Sequence, residues 1–323
     1  MQRNRPNVTI RTFSTGDGPR IADAWTAAAP EDGITYRRFR DLVLLDRNFD
    51  PDGLFLAVDG DEIIGAAYAV RRLIAHQGDD LEPGNGWIPF FFVVPSSRHR
   101  GVGRTLLTST LDWLRSVDVR TVFFSSYTPN YFLPGLDKQR YPQAHRLLTA
   151  LGFESQYECA AMDRSLNDYR MPDDIAGRIA GLRADGYRIG QPTDDDLVDL
   201  IRVAGSRFNS DWARGIREAV TAGLNLDRIM IARDPSGSLL GWAMCGAYED
   251  VLERFGPFGV IPESRGTGLG EVLLHLTLER MRSLGGHSAW FLWTGENSPA
   301  GHLYRKTGFS VTRTFTVMRT RLS

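Results

Sequence analysis

The chain is short of cysteine, of net charge and of long apolar runs, and each shortage removes a class of protein. Cys159 and Cys245 are the only cysteines in 323 residues, one in each half. No disulfide framework is available, and a reducing compartment is expected. Lys and Arg (38) nearly balance Asp and Glu (39), so a net charge of −1 gives no overall pull on nucleic acid or an anionic membrane. The most apolar stretches, such as 87–94, fall well short of a bilayer span. The first dozen residues are polar, carry Arg3, Arg5 and Arg11, and lack the apolar centre of a signal peptide, so a cytoplasmic location is expected. Six histidines and two cysteines show no ligand spacing, so no metal is expected. No Gly-x-Ser-x-Gly elbow appears, in keeping with a reaction that forms no covalent enzyme intermediate. What is present is ample core material, 42% hydrophobic, in a length that suits two domains.

Internal repetition organises the rest. Phe91-Phe92-Val93-Val94-Pro95-Ser96-Ser97-Arg98-His99-Arg100-Gly101-Val102-Gly103 matches Phe258-Gly259-Val260-Ile261-Pro262-Glu263-Ser264-Arg265-Gly266-Thr267-Gly268-Leu269-Gly270 at an offset of 167 positions. Before each motif stands a hairpin pattern: 54–58 and 63–70 around Asp59-Gly60-Asp61, and 229–232 and 239–247 around Asp234-Pro235-Ser236-Gly237. After each comes an amphipathic helix. Leu106, Leu107, Thr110, Leu111 and Leu114 share a face in the first, and Leu273, Leu274, Leu278 and Met281 in the second. A strand follows (121–126, 289–294), then a short helix ending at Leu151-Gly152-Phe153 or Thr307-Gly308-Phe309, where Gly suits a left-handed cap. A last strand pair closes each unit. Segment 167–186, opened by Pro172-Asp173-Asp174, reads as a connecting helix. The expected division is 1–166, 167–186 and 187–323. The two domains are of mixed α/β class, each a mixed, mostly antiparallel sheet with a splayed parallel pair and flanking helices.

The strand–turn–helix junction Arg-x-x-Gly-x-Gly predicts an anion site. Glycine removes Cβ atoms, and the unpaired N–H groups and dipole of the helix start suit a diphosphate. A Walker A loop would need Gly-Lys-Ser/Thr, which neither copy has, and the glycine spacing fits no Gly-x-Gly-x-x-Gly fingerprint. Val94-Pro95-x-x-Arg98-x-x-Gly101-x-Gly103 and Ile261-Pro262-x-x-Arg265-x-x-Gly268-x-Gly270 resemble instead the pyrophosphate loop of the GCN5-related N-acetyltransferases (GNAT). In the second half Asn297-x-x-Ala300-x-x-Leu303-Tyr304-x-x-x-Gly308-Phe309 resembles another signature of that family. The resemblance implies acetyl-CoA as co-substrate. Its diphosphate would be held along Arg98, His99, Arg100, Gly101, Val102, Gly103 and Arg104. In the second copy the holders would be Arg265, Gly266, Thr267, Gly268, Leu269, Gly270 and Glu271, with Asn297 nearby. The pantetheine arm would pair with the backbone of Val93 and Val94, or of Val260 and Ile261.

The two copies differ where that family does its chemistry. The position that supplies a proton to the leaving thiolate is Tyr304 in copy two and Leu148 in copy one; the Asn297 position is Tyr141. Copy one also carries an insert, 131–137, in which Tyr131, like Tyr141, offers a displaced hydroxyl. Glu249 is the candidate general base, with Asp250 and Glu253 on the same loop; Asp79, Asp80 and Glu82 stand in the analogous place of copy one. His99 and His302 read as surface or packing residues, and Trp87, Trp290 and Trp293 as core. The reading is an acyl-CoA-dependent N-acyltransferase acting on a small amine by direct attack, with catalysis in the second half. The rival readings are a non-catalytic acyl-CoA sensor and an enzyme acting on protein N-termini or lysines.

Overall fold

The alternation over 54–70 becomes a hairpin in the computed structural model, which describes residues 8–322 apart from Gln77 and Asp79. Strands β2 (Leu54–Asp59) and β3 (Glu62–Val70) reverse at Gly60, whose φ of 61° suits glycine. Their outer neighbour is β1 (Val8–Thr12), followed by helices α1 (Asp17–Ala28) and α2 (Tyr36–Phe39). β4 (Asn85–Val93) pairs antiparallel with β3. It then leads through the first glycine motif into α3 (Val102–Ser116) and β5 (Thr121–Phe124). The β4–β5 pairing is parallel and short, Asn85–Ile88 against Thr121–Phe124. α4 (Pro142–Ala150) ends on Gly152, φ 86°, with Phe153 N–H reaching back to Leu148 O, as its sequence predicts. β6 (Glu154–Ser165) completes the first half.

The second half runs α5 (Asp173–Ala184), β7 (Arg188–Gly190), α6 (Leu197–Arg207), α7 (Ser210–Thr221), β8 (Ile229–Arg233), β9 (Leu239–Cys245) and β10 (Phe255–Val260). It ends with α8 (Leu269–Ser283), β11 (Ser288–Thr294), α9 (Pro299–Lys306) and β12 (Ser310–Arg321). β7 to β10 form an antiparallel sheet in the order β10-β9-β8-β7. Just before β10, Arg254 forms an isolated parallel bridge with Trp290 of β11.

The chain forms two units, one containing residues up to Cys159 and from Phe315 onwards, the other Ala160–Thr314. The last strands of the two halves thereby exchange their ends between the units. Both β6 and β12 are 12 residues long, enough for each strand to serve both units. Residues 160–165 of β6 pair with β11, and residues 318–321 of β12 pair with β5. Segment 167–186 contains α5, whose Ile175 and Ile179 are buried in the core of the second unit rather than bridging solvent. The α3 face carries buried Leu106, Leu107, Leu111 and Leu114, each contributing about 1.5–3 kcal/mol on burial. α8 buries Leu273, Leu274, Leu278 and Met281 likewise. These two helices are thus clamped at their apolar faces, which leaves their N-termini aimed at the glycine loops. No helix among the described residues is long and apolar enough to cross a membrane.

Candidate active site

Both loops have one backbone shape. Each starts with a single 3-10 turn after the strand, Pro95–Ser97 or Pro262–Ser264. Left-handed residues follow at equivalent places, His99 (φ 62°) and Gly101 (86°), Gly266 (78°) and Gly268 (82°). Gly101 and Gly268 cap their helices. The first-turn N–H groups of α3 and α8, at 102–104 and 269–271, have no intrahelical acceptor and carry the positive end of the dipole. Both loops thus have the backbone geometry that an anion site needs.

The remaining motif residues do other work. Gly103 and Gly270 serve packing: a Cβ would come 3.3 Å from Leu147 in one case and 3.4 Å from both Leu303 and Phe258 in the other. The arginines brace the loop. Arg98 Nε donates to Val93 O at 3.0 Å and its Nη2 to Ala28 O at 2.6 Å; Arg265 Nε donates to Val260 O at 3.2 Å. Each guanidinium thus gives its Nε–H to a backbone carbonyl of the preceding strand, and Arg98 gives a second N–H to Ala28.

Antiparallel alternation decides which strand atoms face the splay. Val94 N–H bonds Ile64 O and Ile261 N–H bonds Leu240 O, both at 2.9 Å, so these two residues point at the neighbouring strand. Val93 and Val260 point the other way, into the cleft, and so do Phe91 and Phe258 two positions earlier. The backbone pairs open to a pantetheine arm are therefore Phe91 with Val93 and Phe258 with Val260, not Val94 or Ile261.

Charge separates the loops. Residues 95–104 carry Arg98, Arg100 and Arg104 with no acid, whereas 262–271 carry Glu263, Arg265 and Glu271. Glu263 pairs with Arg207. The Glu271 carboxylate, 11% exposed, is held by Lys306 of α9 at 2.8 Å and Arg178 of α5 at 3.2 Å. Burial alone would raise its pKa, but those two cations hold it below the usual value. Glu271 thus offers a diphosphate its N–H only; its side chain is an anion already at the helix start. Arg178 lies so close that a Cβ on Gly268 would stand 2.5 Å from its Nη1, while nothing lies within 4 Å of one on Gly101.

Tyr304, on α9, stands in the opening between β10 and β11. Its ring centroid is 4.4 Å from Phe291, 5.6 Å from Phe309 and 6.1 Å from both Phe255 and Phe258. Burial raises the phenol pKa well above 10, and the hydroxyl makes no hydrogen bond among the described residues. A buried, protonated phenol beside a strand pair is equipped to donate. Leu148 fills the same place in the first unit, fully buried. Asn297 is exposed ahead of the α9 cap, which is Ser298 accepting from Gly301 N–H.

Four of the acidic candidates, Glu249, Asp250, Asp80 and Glu82, are in ion pairs. Glu249, at φ 59°, pairs with Arg254 at 3.1 Å, and Arg254 stacks on Tyr248. Asp250 pairs with Arg228, and Glu253 O accepts Trp290 N–H. In the first unit Glu82 pairs with Arg72, and Asp79 lies outside the described residues. An ion pair that pins a turn suits Glu249 better than proton abstraction. Tyr141 caps α4 and donates to Asp32, a packing task; His99 and His302 are exposed. What sequence reasoning missed is a buried group in the first unit, Asp46, Asn48, His76 and Tyr127, whose contacts link residues 28 to 81 positions apart with no spacing to betray them.

Two splayed sheets, each feeding a glycine loop and a helix N-terminus, define a pair of acyl-CoA folds. The profile described as the Acetyltransferase (GNAT) family matches residues 19–132 and 201–309. The chain belongs to that family, as a tandem-domain N-acetyltransferase, and members use acetyl-CoA as co-substrate. It is 26% identical over 327 residues to a mycothiol acetyltransferase of Propionibacterium freudenreichii subsp. shermanii, covering 96% of this chain and 91% of that one. Among solved structures, the GCN5-related glucosamine N-acetyltransferase region of a fungal multi-domain β-N-acetylglucosaminidase superposes with a TM-score of 0.79 at 16% identity. That match covers 98% of this chain and 38% of the other. A tandem GNAT protein of the clavulanic acid pathway gives 0.66 at 16%, covering 98% of each. These likenesses are of fold.

Proposed function

We propose that the protein transfers acetyl from acetyl-CoA to the amine of a small molecule, with the chemistry in the second unit. The observation that carries this is Tyr304, a buried phenol among four phenylalanines beside the cleft-facing backbone of Phe258 and Val260. The neutral amine attacks the thioester carbonyl directly, and the N–H groups of that strand polarise the carbonyl oxygen. The C–N bond forms, the C–S bond breaks, and Tyr304 protonates the departing thiolate. The diphosphate rests on the first turn of α8, and the loop of the first unit, richer in arginine, holds a second CoA. Similarity along nearly the whole chain to an enzyme named for mycothiol supports a small-molecule acceptor over a protein. The domain division, taken as units 8–159 with 315–322 and 160–314, follows the same reading. Thiol release from acetyl-CoA over a panel of amines tests the proposal. Calorimetry with acetyl-CoA runs alongside; binding with no amine-dependent thiol release would refute the transferase reading and support a sensor.

A further inference from the structure

Strand exchange carries a side chain of its own into each unit. In the second unit β6 runs beside β11, with Met162 opposite Phe291 and Asp163 opposite Trp290. Alternation sets these two pairs on opposite faces of the sheet. Met162 and Phe291 are buried with α8 and Tyr304. Asp163 and Trp290 therefore lie on the other face, the one that α6 and α7 cover over β8 and β9. There Arg254, bridged to Trp290, holds its guanidinium 5.8 Å from the Trp290 ring and 4.6 Å from the Tyr248 ring. A row Arg254, Trp290, Asp163 thus crosses the sheet.

The first unit builds the same row, its first two members 167 positions earlier: Trp87 opposite Phe123, and Phe123 opposite Arg319 of β12. Its exchanged strand brings a cation where that of the second unit brings a carboxylate. The sheet accepts either sign, so packing does not call for Asp163. The carboxylate is half-buried and has no ion pair or side-chain hydrogen bond among the described residues. Partial burial costs it hydration that no contact in the protein offsets. Arg254, across Trp290, is neutralised by Glu249 at 3.1 Å, which leaves Asp163 as the uncompensated charge of the row. The opposite face of the splay is full: Tyr304 stands there among Phe255, Phe258, Phe291 and Phe309. An amine that attacks a thioester lying along Phe258 and Val260 must therefore arrive from the face of Trp290 and Asp163.

We propose that Asp163 and Trp290 form a cation subsite, which selects acceptors that carry a positive group besides the amine to be acetylated. The inference rests on the second-unit transfer reading and names the class of its acceptor: a small amine with a second, cationic centre. The attacking nitrogen must be neutral, so the carboxylate serves the other group, and the indole face adds cation–π attraction to it. Asp163 determines specificity and takes no part in moving the proton. β6 belongs to the first half of the sequence, so the second unit has this subsite only through the exchange.

The test uses the full chain and two acceptors of one shape, aminoethyl-trimethylammonium and neohexylamine, which differ by a quaternary nitrogen in place of a quaternary carbon. Thiol release from acetyl-CoA gives kcat/KM for each. The preference for the charged acceptor in wild type, divided by that in a variant, cancels the different basicities of the two amines. Asp163→Asn is expected to lower the preference about tenfold, and Asp163→Arg, which copies Arg319, to lower it further, with KM for acetyl-CoA within about twofold in both. Thermal melts close to wild type are expected, because the first unit carries Arg at this rung. Calorimetric titration of the charged acceptor into CoA-saturated protein separates the two readings. Binding that weakens about tenfold in Asp163→Asn, with no thiol released from any amine, would keep the subsite and refute the transferase reading. Equal losses for both acceptors, or unchanged binding of the charged one in both folded variants, would overturn the subsite.

Discussion

Replacing Tyr304 by Phe removes one oxygen from a box of four aromatic rings, and the structure sets what that should do. The hydroxyl has no hydrogen-bond partner among the described residues, so its loss leaves no group unpaired and costs at most about 0.5 kcal/mol, roughly 1–2 °C in Tm. The chemical loss is larger. Phe has no proton to place against the leaving thiolate, and kcat should fall about 100-fold, near 2.7 kcal/mol of barrier. Tyr304→Leu, which copies Leu148, should match Phe in rate but also lose ring contacts such as that with Phe291, a further cost of about 1–3 kcal/mol. The comparison separates acid from packing. Burial raises the phenol pKa, so the neutral donor persists through neutral pH. With a folded value above the unfolded one, the stability this contributes is complete below pH 10 and is lost as pH rises beyond it. Stopped-flow thiol detection on the two variants, with calorimetric titration of acetyl-CoA, checks the argument. A folded Tyr304→Phe protein that binds acetyl-CoA and keeps kcat within about twofold would refute it.

Three further perturbations follow from the loops and the second core. Gly101→Ala, at φ 86° with open space beyond, should cost about 1–2 kcal/mol of strain alone, whereas Gly268→Ala must also displace Arg178; paired urea titrations measure the difference. Glu271→Gln frees Arg178 and Lys306 and removes an anion from the α8 start, so acetyl-CoA should bind the second unit several-fold more tightly, by titration calorimetry at two salt concentrations. Asp196→Asn breaks a buried junction that caps at Thr193 and pairs with Arg233 at 2.8 Å and with Arg188, and should cost about 3 kcal/mol at pH 7. Burial opposes ionisation of Asp196, but hydrogen bonds from Arg188, Thr193 and Arg233 hold its pKa far below the ordinary value, so its contribution is present above about pH 4 and fades as pH falls further; the gap between wild type and variant should close in acid-unfolding curves.

Much of the fold was legible because repetition is a strong signal: hairpin, glycine loop, amphipathic helix and αL cap recur at matching places, and each rests on local chemistry that sequence displays. The exchange of β6 and β12 was not legible. A strand's length is visible in its pattern, but which neighbour each end pairs with is a long-range choice. Within the loops, sequence located the helix N-termini, but not that Gly101 and Gly268 are left-handed. It did not show that Arg98 and Arg265 each give an N–H to a carbonyl of the preceding strand. The parity that turns Val93 and Val260 to the cleft, and Val94 and Ile261 away from it, is set by pairing with β3 and β9, which the motif alone does not contain.

The two units solve the same electrostatic problem with opposite means, and this gives the asymmetry a physical basis. A CoA diphosphate needs positive potential at the helix start. The first unit adds Arg100 and Arg104 to the helix dipole, with no acid in the loop to offset them. The second unit places Glu271 there and neutralises it with residues outside the motif, Arg178 and Lys306. Under the proposed function an arriving phosphate would compete with Glu271 for those cations, which would weaken the complex and speed its dissociation. A turnover site profits from releasing CoA once the thiolate is protonated, and it is the second unit that holds the buried Tyr304. The same competition ties α5 and α9 to the state of the loop, because Arg178 belongs to the former and Lys306, two residues from Tyr304, to the latter. Under the proposed function, occupation of the diphosphate site would therefore bear on the helix that carries Tyr304.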